Sequence, residues 1–297
     1  MINRIIIFLL ITYHLPLITL HSYSPGTTGG EFLKLDRGAR AAGMGGGFSA
    51  IADDATASYW NPAGLAQLER KELQTTHMNY LINVRSEYIA YAHPLNGGVL
   101  GCEAFGLYSR DTRRDSSGNT LGRLFDYNYS LTLSYAKNLS EDLAVGAGLK
   151  GIFYRFSETR GNGAALDAGF LMKRGDFRFS GTLKNIGPKI RLGGEKSSLP
   201  LSASLGGAWN SGAFSAGTDL VFPHKGRIGL NLGGEFNYGI TAFRAGYAFR
   251  ESGNGAGGNT GLHLGLGLRY RDTGLDYSYS PFGDLGQVHR FSFLIGF

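Results

Sequence analysis

The chain is poor in cysteine, proline and charged residues. Among its 297 residues there are 8 prolines and one cysteine, Cys102, and 18% of the residues are charged. A single cysteine excludes an internal disulfide. The charged fraction is below the ~25% of typical soluble domains. The formal net charge is +6, but no basic run with interleaved aromatic residues is present, so nucleic-acid binding is not expected.

Long hydrophobic runs are also lacking, apart from one short run near the N-terminus. Asn3 and Arg4 precede a continuously apolar stretch at residues 5–11, and Pro16 interrupts the run soon afterwards. This pattern predicts a signal peptide over residues 1–24, cleaved between residues 20 and 26, with an uncleaved anchor helix as the alternative. No other segment reaches the ~20 apolar residues of a membrane-spanning helix. An exported chain of this kind is either a secreted β-protein or an outer-membrane barrel.

Motifs for catalysis and for cofactors are missing as well. The histidines show no metal-binding spacing, and the glycines of GMGGG are not followed by the Lys-Ser/Thr pair of a phosphate loop. Asp53 and Asp54 are adjacent carboxylates that suit a calcium ion, although capping of the following helical turn explains them more simply. We therefore expect neither an enzyme nor a bound metal or cofactor.

Glycine and aromatic residues are abundant, with 47 Gly, 19 Phe and 16 Tyr. After residue 70 the sequence reads as about fourteen strands, several of which alternate apolar and polar residues, as residues 262–270 do. Tight turns alternate with longer links such as residues 157–163 and 187–200, and the polar tract 109–123 is predicted to be an extracellular loop. An even strand number with short turns on one rim is typical of an outer-membrane barrel. The fold class is therefore all-β, with an antiparallel transmembrane barrel over residues 71–297.

The segment before the barrel, residues 25–70, is predicted to form an N-terminal plug or hatch. Its small residues and glycines allow backbone to pack closely against backbone. Asp53 or Asp54 is placed to cap a first helical turn, and Asn61 to cap a second turn that begins with Pro62. The predicted plug motif consists of Gly43, Gly45, Asp53, Asp54, Trp60, Asn61, Pro62 and Gly64.

Two stretches carry a resemblance to known families. The sequence AGMGGGFSAIADDATASYWNPAGL, residues 42–65, resembles the signature of PorV/PorQ-type outer-membrane proteins. Within it, AIADDA and NPA are similar to the hatch of the FadL long-chain fatty-acid transporters. The stretch YSYSPFGDLGQVHRFSF, residues 277–293, resembles the C-terminal end of the PorV/PorQ-type family. The resemblance implies a FadL-like barrel and hydrophobic substrates such as long-chain fatty acids.

Three functions follow as hypotheses. The first is transport or binding of a hydrophobic ligand across the outer membrane. The second, implied by the same resemblance, is a non-transporting component or cargo-receiving partner of type IX-like secretion-system subunits. The third is a secreted β-sandwich or adhesin. For a barrel, the expected partners are outer-membrane lipid and the barrel-assembly machinery. The assembly signal is predicted on one face of the last strand, at Phe291, Phe293, Ile295 and Phe297.

Overall fold

The structure is a computed structural model of the whole chain, and it describes residues 28–80, 83–156, 159–192, 194–249, 260–282 and 286–297. The predicted signal peptide, residues 1–24, lies outside the described residues, as do parts of several predicted links. Fourteen strands form a closed antiparallel barrel in which each strand pairs with its sequence neighbour, except that β7 pairs with β10 and β1 closes the barrel against β16. The predicted fold class is confirmed.

The barrel strands are 8 to 19 residues long, and four neighbouring strands, β3 to β6, are longer than the others. In chain order the strands are β1 Glu72–Asn79, β2 Val84–Leu95, β3 Gly98–Arg114, β4 Thr120–Asn138, β5 Leu143–Phe156, β6 Thr159–Arg174, β7 Phe177–Ile186, β8 Ile190–Leu192, β9 Glu195–Ser197, β10 Ser202–Ser211, β11 Phe214–Pro223, β12 Gly229–Tyr238, β13 Thr241–Phe249, β14 Gly261–Tyr270, β15 Thr273–Pro281 and β16 Gln287–Gly296.

Side chains alternate between the lumen and the outer surface of the barrel. In β13, Arg244 and Gly246 are buried in the lumen, whereas Phe243, Tyr247 and Phe249 are exposed on the outer face. Most other strands repeat this arrangement, with large apolar side chains outside. An apolar outer band around a polar lumen is the pattern of a barrel that lies in lipid.

The two rims of the barrel differ in their connections. We call the rim at which β1 begins and β16 ends the inner rim, and the opposite one the outer rim. Five tight turns that the sequence predicts, among them those around residues 175 and 239, all join strands at the inner rim. Short turns on the rim that holds both barrel ends are the periplasmic arrangement of outer-membrane barrels.

Residues 28–71, here called the plug segment, lie inside the barrel. The segment contains a 3-10 helix at Glu31–Lys34, helix α1 at Ala39–Gly43, helix α2 at Ala57–Trp60 and a second 3-10 helix at Pro62–Gln67. Helix α1 packs against β13 to β16, and the second 3-10 helix packs against β3 to β6. None of the helices in the described ranges is long and apolar enough to cross a membrane.

Three predicted connections differ from the structure. The polar tract 109–123, predicted to be a loop, is mostly strand, because β3 and β4 continue through it to a turn at residues 115–119. Likewise, β5 and β6 run to Phe156 and from Thr159, so the predicted link 157–163 is largely strand. The predicted link 187–200 contains a small hairpin of β8 and β9. Beyond the lipid a strand needs no apolar face, so alternation of apolar and polar residues could not reveal these extensions.

Candidate functional site

The glycines of the plug segment lie against glycines of the barrel wall. A Cβ on Gly43 would lie 2.9 Å from the Cα of Gly265 in β14, and one on Gly47 would lie 2.7 Å from the carbonyl oxygen of Gly217 in β11. Gly45, at φ 63°, faces the backbone of β12 and β13. Contacts between backbones leave no flexible side chain to move aside. The plug segment is therefore closely fitted to this side of the wall.

The wall glycines that receive the plug segment were not predicted from the sequence. Gly217, Gly233 and Gly246 are register partners on three neighbouring strands, so they form one row across the wall. Each would place a Cβ against the backbone of Met44 or Gly47. A glycine in the middle of a strand often marks a close approach of another backbone. That signal was present in the sequence, although it does not reveal which backbone approaches.

Asn61 joins three parts of the structure. Its side-chain oxygen accepts from the backbone N–H of Ala63 at 3.1 Å, which is the predicted cap of the helical turn that begins with Pro62. Its amide donates to the carbonyl oxygens of Ser49 and of Phe170 in β6, both at 3.1 Å. Asn61 is fully buried. A single side chain therefore caps a helix and ties the plug segment to the wall.

The other members of the predicted motif have separate places. Asp54 accepts from the backbone N–H of Thr56 at 2.9 Å, just ahead of helix α2, whereas Asp53 bonds to Arg40. The indole of Trp60 donates to the carbonyl oxygen of Arg37 at 2.9 Å. Gly64 packs against the backbone of Ala52. The structure thus places these residues in contacts within the plug segment, and no group suited to hold a metal ion is found among the described residues.

A chain of charged side chains links the plug segment to β12, β13, β14 and β15. Arg40 forms two hydrogen bonds with the carboxylate of Glu235, at 2.8 and 2.9 Å, and a third with Asp53 at 2.6 Å. Glu235 also accepts a hydrogen bond from Arg244 at 2.5 Å. Arg244 in turn donates to Asp276 at 2.7 Å. Buried charges of this kind persist only when they are paired and hydrogen-bonded. The plug segment is therefore fastened electrostatically as well as by close packing.

Burial changes the ionisation of two groups in the plug segment. Burial raises the pKa of Asp54 above its ordinary value, and the attraction of Arg40 offsets part of that rise. Burial lowers the pKa of Arg37, although nearby acidic and phenolic groups act in the opposite direction. Both effects follow from the cost of holding a charge away from water.

The plug segment and the wall also share an aromatic cluster, which consists of Phe32, Phe48, Tyr59, Trp60 and Phe105. Phe32 stacks on Phe105 of β3 with ring centroids 6.2 Å apart, and Trp60 meets Phe48 and Tyr59 edge-on. The guanidinium carbon of Arg37 lies 3.3 Å from the centre of the Phe105 ring. Two further cations lie over rings of the cluster: Arg40 is 5.3 Å from the centre of the Phe48 ring, and Lys184 is 4.2 Å from that of Tyr59. An apolar region with cations over its rings is suited to a hydrophobic molecule.

The hairpin of β8 and β9, here called the outer hairpin, covers this cluster from the outer rim. Ile190 is 2% exposed, and it packs against Gly29 of the plug segment and Gly163 of β6. The hydroxyl of Tyr154 donates to the carbonyl oxygen of Arg191. The backbone N–H of Gly29 donates to the carbonyl oxygen of Ser198, just after the hairpin, at 2.9 Å. The aromatic cluster is closed toward the outside in this conformation.

The predicted assembly residues lie where the last strand closes the barrel. Phe291, Phe293 and Phe297 are exposed on the outer face, and Phe297 stacks on Tyr91 with ring centroids 6.3 Å apart. Ile295, on the same face, is half-buried and is the register partner of Leu73 in β1. The strand therefore presents an apolar face to lipid, and the assembly signal itself stays a prediction.

Sequence comparison assigns the chain to a family. The sequence model of the Uncharacterised protein family (UPF0164) matches residues 24–174, which is just over half of the chain and includes the whole plug segment. The chain belongs to UPF0164. None of the curated protein sequences matches this UPF0164 member significantly.

Solved structures of a toluene transporter have the same fold as this chain. The Pseudomonas putida toluene transporter TodX is 12% identical, with a TM-score of 0.62 over 88% of this chain and 97% of that chain. A second structure of the same transporter is 13% identical, with a TM-score of 0.61 over 88% and 98% of the two chains. At this identity the likeness shows the fold alone. Together with the family match, it confirms the predicted PorV/PorQ-type, FadL-like barrel of an outer-membrane protein.

Proposed function

We propose that this UPF0164 protein binds hydrophobic small molecules and passes them across the outer membrane. The observation that carries the proposal is the aromatic cluster, which is buried inside a barrel whose other inward side chains are largely polar or charged. A lumen that is only filled does not require five aromatic rings in one contiguous cluster. TodX, whose fold this chain shares, is a toluene transporter. More specifically, we propose long-chain fatty acids as the transported molecules. The proposed function involves no catalysis.

The closed conformation implies where movement is needed. Ile190 of the outer hairpin and Leu199, which follows the hairpin, seal the cluster, and both are almost fully buried. The plug segment is held to the wall by the charged chain and by the glycine contacts. Entry therefore requires the outer hairpin to move, because it is held by a few contacts, whereas the plug segment is held by many.

A disulfide that locks the outer hairpin tests the proposal. A Cβ on Gly163 would lie 3.7 Å from the Cβ of Ile190, close to the ~3.8 Å mean of natural disulfides. With Cys102→Ser as background, Gly163→Cys with Ile190→Cys should abolish uptake of a radiolabelled fatty acid or toluene when oxidised. Reduction should restore it.

The two single cysteine variants are the controls, and they should transport equally under both conditions. Equal uptake by the oxidised and the reduced double variant would overturn the proposal that solutes pass beneath the hairpin.

The second candidate function, a non-transporting partner of type IX-like secretion-system subunits, also has a specific observation in its favour. The lumen is blocked by a plug segment that meets wall glycines backbone to backbone, as at Gly43 and Gly47. A barrel that never conducts would tolerate such a fit. For this function, uptake should be absent in the unmodified protein, and affinity purification should recover secretion-system subunits with it.

The export route belongs to the same proposal. A signal peptide over residues 1–24 would deliver the chain for outer-membrane insertion. N-terminal sequencing of the membrane-inserted protein checks this, with a first residue at one of positions 21 to 26 expected. An N-terminus at Met1 would favour the uncleaved anchor.

A further inference from the structure

A groove of about 400 Å³ crosses the outer surface of the barrel over β1 to β4. Its lining combines outward-facing side chains with the strand backbone between them, and the outward-facing members are Thr75, Glu87, Ile89, Ala104, Gly106, Tyr129 and Leu131. The groove is outside the lumen. It is separate from the aromatic cluster, although Phe105 contributes to both.

The groove exists because two small residues of β3 lie between larger neighbours. Ala104 pairs in register with Ile89 of β2 and with Leu131 of β4, and Gly106 pairs with Glu87 and Tyr129. A Cβ on Gly106 would meet no atom within 4 Å. The groove is therefore open space on a surface that faces lipid.

Polar side chains meet at the end of the groove nearer the outer rim. Glu87 Oε1 lies 2.8 Å from Nδ1 of His77 and accepts from the hydroxyl of Tyr108 at 3.3 Å. Both hydrogen bonds end on the same carboxylate oxygen, and the described residues provide no hydrogen bond to Oε2. Glu87 is exposed on the outer face. A carboxylate at a lipid-facing position needs a donor, because the hydrocarbon offers none.

The orientation of the groove matches that of a lipid in the outer leaflet. Tyr108 and Tyr127 pair just beyond Glu87 toward the outer rim, where aromatic side chains mark the membrane interface. Ile89, Ala104 and Leu131 lie two residues nearer the middle of the barrel wall. The acidic end thus faces the head-group region, and the apolar end faces the hydrocarbon.

We propose that this groove binds one lipid of the outer leaflet. Its acyl chain lies along Ala104 and Gly106, and an N–H or O–H donor of its head group bonds to Glu87. The carboxylate beside His77 favours a head group with an N–H or O–H donor over one without donors, because a hydrogen bond to a charged acceptor is stronger than a neutral one.

Native mass spectrometry of the detergent-purified protein tests this with two defined lipids. Dimyristoyl phosphatidylethanolamine has an ammonium donor, whereas dimyristoyl phosphatidylcholine carries no N–H. From an equal mixture, the wild type should retain one phosphatidylethanolamine with about tenfold preference. Glu87→Gln should reduce that preference, and Gly106→Leu should remove retention of both lipids.

Gly234→Leu is the matched control. It adds the same side chain to an outward glycine of β12, where the nearest atom to a Cβ is 3.9 Å away. This variant should retain lipid like the wild type, and a heat-modifiable gel shift should show that every variant is folded. Equal retention of the two lipids, or unchanged retention in Gly106→Leu, would overturn the proposal. A lipid-free dimer that Gly106→Leu dissociates would also overturn it, since the groove would then bind a second copy.

Discussion

At the scale of single residues, Asn61 is the position whose substitution should destabilise the plug segment most. It is fully buried, its side-chain oxygen accepts one hydrogen bond, and its amide nitrogen donates two. Pro62 follows it at the first helical position. The sequence predicted the cap, but it could not predict the bond to Phe170, which is 109 positions away along the chain.

We expect Asn61→Ala with Pro62→Gly to loosen the plug segment and leave the barrel folded. Loss of the cap costs about 1 kcal/mol, and loss of the proline adds roughly 0.4–1 kcal/mol. The carbonyls of Ser49 and Phe170 also lose their donor, which adds about 1–3 kcal/mol where such a group is buried. These costs are small beside a closed strand ladder. Limited proteolysis should cut residues 39–65 faster while the gel shift stays normal. Asn237→Ala, at an exposed site, is the control. Unchanged cleavage would contradict the assigned role of Asn61.

A second change at the residue scale concerns Arg40. Arg40→Met would leave the buried carboxylates of Glu235 and Asp54 without their main cation, and breaking a buried pair costs about 3 kcal/mol. Arg70→Ala is the control, because the pair of Arg70 with Asp272 is exposed and contributes little. Hydrogen exchange of the plug segment at neutral pH should rise only in Arg40→Met.

The same variant makes a prediction about pH. Burial already raises the pKa of Asp54 in the folded protein, and loss of Arg40 removes the attraction that opposes this rise. Between the ordinary and the raised pKa, the folded state binds a proton that the unfolded state does not. Its stability therefore increases as pH falls. The protection factors of the plug segment in Arg40→Met, which correct for the base-catalysed intrinsic exchange rate, should increase from pH 8 to pH 5, and a decrease would contradict the assignment.

At the scale of elements, the row of wall glycines decides how the plug segment sits. Gly246→Ala would place a methyl group against the backbone of Met44 and Gly45, and overpacking of this kind costs about 1–3 kcal/mol. We expect faster proteolysis of the plug segment and leakage of small polar solutes. Gly234→Ala, which faces outward, is the matched control. Equal behaviour of the two variants would show that the close fit is unimportant.

The elements also show where sequence reasoning reached its limit. Alternation of apolar and polar residues predicted the number of strands, and turn residues predicted the tight turns. Both patterns are present because the wall of a barrel faces lipid and its strands are joined by short turns. The outer parts of β3 and β4 were assigned to a loop, since their residues no longer alternate. The pairing of Arg40 with Glu235, 195 positions apart, leaves no local trace. The sequence shows which strand positions are polar and face the lumen, but it does not show which of these side chains bond to one another.

At the scale of the whole molecule, closure of the barrel depends on β16, which pairs with β1 from Glu72↔Gly296 to Asn79↔His289. Phe297 lies at the end of this seam, where its backbone N–H donates to the carbonyl oxygen of Lys71 at 3.0 Å. We expect Phe297→Ser to lower the amount of inserted barrel more than the stability of the barrel that does form. Quantitative blots of outer membranes with heat-modifiable gels measure both, and normal levels in the variant would contradict the assembly role.

The central claim is that a hydrophobic molecule reaches the aromatic cluster beneath the outer hairpin. The two tryptophans of the chain allow a direct measurement, because Trp60 lies in the cluster whereas Trp209 faces outward. In Trp209→Phe protein, a brominated fatty acid should quench Trp60 fluorescence saturably. Oxidation of the Gly163→Cys, Ile190→Cys pair in the same background, with Cys102→Ser, should abolish the quenching, and reduction should restore it. Absence of saturable quenching in the unlocked protein would contradict the claim, as would equal quenching in the locked and the reduced protein.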